Sequence, residues 1–318
     1  MQVFPDRAVE KQMAFICRTC AFTHVKVLVT GASGFVGHEL LEQLECEKFA
    51  IYPVFRDHSI IHDNAQYCDL RDYGETEILL TTVDPNAIIH CAASSSIEEC
   101  EKNKIESWEN NVMGTMNLLR LMKTDVHFVY LSTAQVFDGN DGLYDEESVR
   151  NPINWYGKTK VASEDIVSNM SSLYTIVRLS YQYGCDVKGK NFVHKAFEKL
   201  TTNEPVSADD DIISSPTYIG TTVSSLQEII TDGITGVYNI ADKEPISKYR
   251  LLLNLANELN RSSLVTKERL PSMLLASRPK NTSLDVSKFS HTFNVTKPLN
   301  QKEALQRLCK DFEERRSQ

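Results

Sequence analysis

Tyr156 and Lys160, four residues apart, are the side chains best suited to chemistry in this sequence. On a helix that spacing puts both on one face. A phenol with its ordinary pKa of about 10 is a poor proton carrier at neutral pH. A neighbouring ammonium favours the phenolate and draws the pKa toward the working range. A fall of about three units corresponds to roughly 4 kcal/mol of differential interaction. Upstream, Ser132 and Thr133 close an apolar run, so a hydroxyl is expected at the carboxyl end of a strand, where open α/β sheets bind ligands. Further upstream, Gly31, Gly34 and Gly37 follow the β-forming run Val25-Lys-Val-Leu-Val-Thr30. That order makes a strand–turn–helix corner for a dinucleotide. Gly31 permits the tight turn, Gly34 lets the backbone approach a pyrophosphate, and Gly37 lets the helix pack closely. The first helical amides, with Ser33, Phe35 and Val36 around them, face the anion at the positive end of the helix dipole.

These groups need a sheet to position them, and the chain supplies alternating strands and helices. After the glycine turn, residues 35–45 carry apolar residues at helical spacing, and 49–55 read as the second strand. Asp84-Pro85-Asn86 breaks the chain before a short buried strand at 87–90. Residues 98–122 read as helix with an interruption near Asn103, 126–131 as strand, 156–170 as helix and 173–178 as strand. From about Gly184 the alternation weakens, and Pro, Gly and Asp punctuate shorter elements. The expected fold is α/β: a Rossmann-type doubly wound parallel sheet with a smaller C-terminal α/β substrate lobe. Residues 1–24 read as an N-terminal extension and 25–183 as the dinucleotide-binding domain. Residues 184–318 read as mainly substrate lobe and C-terminal helix, with later strands returning to the sheet.

The second strand ends at Arg56-Asp57-His58, where such sheets meet the adenosine ribose. Arg56 can pair with a 2′-phosphate, assisted by His58, which favours NADP(H) over NAD(H). An acidic residue there would reverse the preference, and Asp57 is one position away. Asp69 and Leu70, after a third short strand, are placed to meet the adenine, with a plain surface aspartate as the other reading of Asp69.

With 318 residues, 42% of them hydrophobic, the chain can bury one large core or a domain with a lobe. A net charge of −9 without a basic patch argues against a nucleic-acid partner. Eight scattered cysteines read as reduced, and the single Cys17–Cys20 pair lacks the second pair that a zinc site needs. No carboxylate cluster demands a metal. The apolar stretch 13–22 is broken by Arg18 and runs almost into the first strand, unlike a removable signal. No window approaches a membrane span. A cytoplasmic protein is expected.

Gly31xxGly34xxGly37, His90-Cys-Ala-Ala93, Asn111-Val-Met-Gly-Thr115, Ser132-Thr133 and Tyr156xxxLys160 together resemble an extended short-chain dehydrogenase/reductase. More narrowly, residues 132–139, 152–160 and 278–288 resemble the dTDP-4-dehydrorhamnose reductase family, which includes the regulatory β subunit of methionine adenosyltransferase. The resemblance spans Val25 to about Lys288. It implies that Tyr156 donates a proton to a substrate carbonyl, Lys160 tunes Tyr156 and holds the nicotinamide ribose, and Thr133 polarises the carbonyl. Ser132, Asn154 and Arg278 would meet the substrate. Cys91, Ala92 and Ala93 would line the cofactor groove, and Asn111 would support the active-site helix beside the cofactor. It departs at Ala134-Gln135, where the family has an aspartate and an aromatic. The charged ending Asp311–Gln318 also differs from the apolar tail by which β subunits dock into their catalytic partner. Two functions remain open. One is NADP(H)-dependent reduction of a nucleotide-linked 4-keto-6-deoxy sugar in dTDP-rhamnose synthesis. The other is a non-catalytic NADP-binding regulator of a methionine adenosyltransferase catalytic subunit in S-adenosylmethionine synthesis. A homodimer is a further expectation.

Overall fold

A computed structural model describes residues 24–44, 48–269 and 274–316. Cys17, Cys20 and nearly all of the N-terminal extension lie outside the described residues. Seven parallel strands form the central sheet: β1 (Val25–Thr30), β2 (Phe49–Phe55), β3 (Gln66–Tyr67), β4 (Ala87–His90), β5 (His127–Thr133), β6 (Tyr174–Leu179) and, much later in the chain, β11 (Gly236–Ile240). Their order is β11-β6-β5-β4-β1-β2-β3, so the chain reverses direction across the sheet between β1 and β4. A crevice opens at such a switch point, outside the carboxyl ends of the strands. The register sets Thr30 beside both Val54 and His90, and Thr133 beside Leu179.

Both faces of the sheet are buried, which explains why its strands are near-continuous apolar runs. Leu28, Ile88, Phe128, Tyr130 and Ile176 point to one face. There they pack on α2 (Tyr73–Val83), α5 (Gly114–Leu121) and α6 (Trp155–Met170). Val27, Val29, Ile89, Val129 and Val177 point to the other. That face packs on α1 (Phe35–Gln43), α8 (Ile219–Asp232) and elements further along the chain. Between β4 and α5 the chain forms α3 (Ile97–Lys102), breaks at Asn103, continues as α4 (Lys104–Trp108) and makes one π-turn at Glu109–Met113.

The C-terminal half adds α7 (Phe192–Thr201) and α9 (Lys248–Glu258). It also adds the short ladders β7 (Gln182–Tyr183) with β10 (Thr217–Tyr218), β9 (Ile213–Ser214) with β12 (Ile246–Ser247), and β8 (Val206–Asp209) with β13 (Val265–Glu268). After α10 (Ser287–Thr292), α11 (Gln301–Arg316) buries Ala304, Leu305, Leu308 and Phe312 in the core shared with β1 and α1. Among the described residues no helix is long and apolar enough to cross a membrane.

Candidate functional site

The corner between β1 and α1 is built by backbone constraint. Gly31 has φ +67°, and a Cβ there would stand 2.5 Å from the Ala92 nitrogen, so the exits of β1 and β4 touch only because residue 31 is glycine. Gly34, the N-cap of α1, has ordinary extended backbone (φ −76°, ψ 170°), and a Cβ there would meet only the Gly31 carbonyl oxygen, at 3.2 Å. The protein therefore imposes no severe steric requirement at Gly34, and the residue is exposed. The α1 N-terminus has no side-chain cap and no acid in its first turn. Its amides remain available to an anion. Gly37 sits against the turn itself: its Cβ would lie 2.3 Å from the Gly31 oxygen. Ser33 is exposed, Phe35 and Val36 half-buried.

The floor of the crevice is stapled by Thr30. Its hydroxyl bonds His90 Nδ1 at 2.6 Å and accepts from the Ala92 amide at 3.3 Å, while the Cys91 amide donates to the Thr30 carbonyl at 3.2 Å. His90 Nε2 completes its pairing with the Thr115 hydroxyl at 3.0 Å, and burial, with the Lys160 charge nearby, pushes its pKa down to about 3. It is a neutral ring. Cys91 and Ala92 are half-buried and Ala93 exposed along this rim, and burial pushes the Cys91 thiol up to about 12.

At the ribose side, Arg56 is exposed immediately after β2. Asp57 is turned into its own loop, accepting from the amide and hydroxyl of Ser59 at 2.9 and 2.7 Å, which holds its carboxyl below the usual range. His58 stacks on Tyr67 at 4.7 Å between ring centroids. Asp69 is engaged by Arg71, whose Nε reaches both carboxylate oxygens at 2.9 and 3.0 Å, and Leu70 packs against Gly114. Arg56 is thus the exposed cation at the strand end, while Asp57 and Asp69 have local partners in Ser59 and Arg71.

Strand β5 runs two residues further than its apolar run suggested, through Ser132 and Thr133. The Thr133 hydroxyl accepts from the Gln135 amide at 3.2 Å and stands near enough to Tyr156 to favour its phenolate. Tyr156 and Lys160 lie on α6, whose N-cap Asn154 accepts from the Gly157 amide at 2.9 Å. Lys160 is buried, with its ammonium 4.1 Å from the centre of the Tyr130 ring. Thr133, Tyr156 and Lys160 are thereby gathered beside the exit of β4. Their electrostatics differ from expectation. Burial pushes the Tyr156 phenol up to about 12 against the pull of the Thr133 hydroxyl, and pushes Lys160 down to about 7 against the attraction of Glu164. Desolvation dominates both shifts.

Three assignments, Ser132, Asn154 and Arg278, take a different form in the structure, while Asn111 supports the helix as expected. The Ser132 hydroxyl donates to Glu164 at 2.5 Å and is committed to the core, so it is not presented to a substrate. The Asn154 amide is spent on the cap, on Gln135 Oε1 at 3.1 Å and on the Ser277 carbonyl at 3.2 Å. Asn111 is buried in the π-turn. Its Oδ1 accepts from the Ser94 amide at 2.6 Å, and its Nδ2 donates to the Ser94 carbonyl and the Thr159 hydroxyl at 3.0 and 2.9 Å. It ties the β4 exit to α6, the support expected of it, with both Nδ2 hydrogens engaged. Arg278 pairs with Glu98 of α3 at 2.9 Å, bridging the segment after residue 274 to that helix. The departure at Gln135 acquires a role: its side chain holds the Asn154 cap, and a Cβ on Gly157 would strike its carbonyl at 2.2 Å.

Sequence reasoning missed Glu164. Buried on α6 one turn after Lys160, it accepts from Ser132, from Arg178 Nε and Nη2 at 3.1 and 2.9 Å, and from Arg150 at 3.1 Å. Its four-residue offset from Lys160 was the one local signal; its partners are distant in sequence.

The model of the family described as the RmlD substrate binding domain matches residues 25–314. The methionine adenosyltransferase 2 subunit beta of Xenopus tropicalis is 27% identical over 273 residues, covering 83% of this chain and 81% of that protein. The dTDP-4-dehydrorhamnose reductase of Aggregatibacter actinomycetemcomitans is 26% identical over 294 residues, covering 85% and 94%. Among solved structures, the dTDP-4-dehydrorhamnose reductase of Bacillus anthracis in complex with NADP matches with a TM-score of 0.80 at 27% identity, over 91% of this chain and 100% of that one.

Proposed function

The chain belongs to the RmlD substrate binding domain family, and from that premise we propose an NADP(H)-dependent reductase of a nucleotide-linked 4-keto-6-deoxy sugar, of the dTDP-4-dehydrorhamnose reductase type. The observation that carries the proposal is the placing of Thr133 at the carboxyl end of β5 and of Tyr156 and buried Lys160 one turn apart on α6, beside the switch point of the sheet. In this reading residues 25–183 hold the dinucleotide and 184–318 form mainly the substrate lobe.

The residues present fit the cofactor. The α1 amides lack any capping side chain or first-turn acid, Gly34 leaves its surface open, and the Ala92–Ala93 backbone forms the rim. Arg56 would take a 2′-phosphate, a role supported by the local pairing of Asp57 and Asp69. The Bacillus anthracis relative is in complex with NADP, which fits the same preference. When bound, the reduced nicotinamide supplies a hydride to a carbonyl carbon. The chain supplies the rest. The Thr133 hydroxyl orients the carbonyl oxygen, and the Tyr156 hydroxyl gives that oxygen its proton. A phenol held near pKa 12 stays protonated at neutral pH, yet it is far more acidic than the alcohol produced, so proton donation runs in the direction of reduction. Lys160, bearing partial charge near neutrality, would stabilise the phenolate left behind.

A second reading, an NADP-binding regulator of a methionine adenosyltransferase, draws on the 27% likeness to a subunit beta. The reductase is favoured by the gathered hydroxyl, phenol and ammonium, and by α11, whose apolar residues are buried in this chain's own core. Purified protein with NADPH and a dTDP-4-keto-6-deoxy sugar is expected to consume NADPH, and Tyr156→Phe to abolish turnover while keeping NADPH binding. Absence of turnover, with co-purification of a methionine adenosyltransferase catalytic chain, would establish the second reading instead.

A further inference from the structure

The loop between β7 and α7 reaches back across the molecule to the glycine-rich corner. Lys188 extends its ammonium to the carbonyl oxygen of Ser33, 2.5 Å away and 155 positions earlier in the chain. That carbonyl immediately precedes Gly34, the cap of α1, so the charge stands at the mouth of the helix whose first amides are uncapped. Lys188 is exposed, and this bond occupies only one of its three donors.

The loop is built to hold that position. The Asp186 carboxylate accepts from the amides of Lys188, Lys190 and Asn191 at 3.0, 2.7 and 2.8 Å, and Gly189 turns the chain with φ +59°. At its base, the Cys185 carbonyl accepts from Arg315 of α11 at 2.8 Å, and Arg315 pairs with buried Glu39 of α1 at 2.9 and 3.0 Å. Gly184 lies so close to Phe35 in the first turn of α1 that a Cβ there would approach the ring at 3.1 Å. The loop is thus fastened to the same helix on which its lysine rests.

We propose that Lys188 is a pyrophosphate clamp: its ammonium binds the dinucleotide's diphosphate at the α1 N-terminus, supplementing backbone amides that carry only partial charge. This rests on the dinucleotide reading above and adds a side chain to it. The position separates its role from that of Arg56. Ser33 lies on the turn that faces the diphosphate, whereas Arg56 follows β2, where the ribose is read. The diphosphate is common to NADPH and NADH; the 2′-phosphate is not.

The test is titration of the full-length protein with NADPH and with NADH, followed by nucleotide fluorescence. Lys188→Ala is expected to raise Kd about fivefold for both nucleotides, the order of one exposed charge pair, with a shallower salt dependence than wild type. Lys188→Arg should restore most of the affinity, and an unchanged melting temperature would show that the loop still folds. Equal Kd values for Lys188→Ala and wild type would overturn the clamp. So would a loss confined to NADPH, which would put Lys188 at the 2′-phosphate. Wild-type protein that binds neither nucleotide would refute the dinucleotide reading itself, a result distinguishable from failure of the clamp alone.

Discussion

Replacing Glu164 by Ala is expected to be among the costliest single changes outside the reacting groups. The Glu164 and Arg178 side chains are 1% and 4% exposed, and the carboxylate also takes bonds from Ser132 and Arg150. Breaking a buried pair by removing one partner costs about 3–5 kcal/mol, because the other charge stays desolvated. Two features pull the figure toward the lower end. Arg178 keeps a bond to the Glu146 carbonyl at 3.0 Å and the Phe137 ring at 5.4 Å, and Arg150 keeps Asp165 at 2.8 Å. About 3 kcal/mol remains, a large share of the 5–15 kcal/mol typical of a folded domain. At this chain length it corresponds to a fall of roughly 4–5 °C in Tm. Urea unfolding followed by circular dichroism measures it directly. The partner experiment is Glu164→Met with Arg178→Met, which removes both charges and should recover most of the loss. A cost below about 1 kcal/mol for Glu164→Ala, or a double variant as unstable as the single, would refute the assignment of this pair as the anchor of the β5 end.

Asn111→Ala should cost about 2–4 kcal/mol, read as a thermal shift, because it strands the Ser94 amide and carbonyl and frees α6 from the β4 exit. Stability should also depend on pH through Lys160. Its folded pKa of about 7 lies below the unfolded value of about 10.5, so the unfolded chain binds more protons between these limits and stability rises with pH across that window. From pH 7 to 9 the gain should be about 2 kcal/mol in wild type and largely absent in Lys160→Met. His90 and His127, buried with pKa values pushed down to about 3 and 4, work at the acid side: stability should fall as pH drops from about 6.5 toward those values, measured by urea titration at each pH.

Strands β1, β2 and β4 follow the bounds expected from sequence, because glycine, a charged Arg-Asp pair and Asp-Pro-Asn mark their ends. The break at Asn103 was also legible. The π-turn was not: the Asn111 main-chain carbonyl accepts from Ser163 of α6, and its side-chain amide pairs with Ser94 and Thr159, partners 17 to 52 positions away that local pattern does not report. For the same reason Ser132 and Asn154 looked like surface donors in sequence, although their partners Glu164, Gln135 and Ser277 consume them. The Tyr156–Lys160 spacing was readable, but the sense of their pKa shifts depends on burial, which periodicity does not report. Lys188 could not be found from sequence, because its meeting with Ser33 depends on how a distant loop folds back.

If the corner at Gly31–Gly37 holds a pyridine nucleotide, Gly34 is the position at which binding can be blocked without disturbing the fold. Its backbone is open to any residue, and a Cβ requires the Gly31 oxygen to give by only a few tenths of an ångström, so Gly34→Asp should fold normally while placing a carboxylate at the α1 amides. NADPH titration should then give tight binding to wild type and at least about a tenfold loss in the variant at equal Tm. Wild type that shows no affinity for NADPH, or a Gly34→Asp variant that binds it as well as wild type, would rule out a nucleotide at this corner.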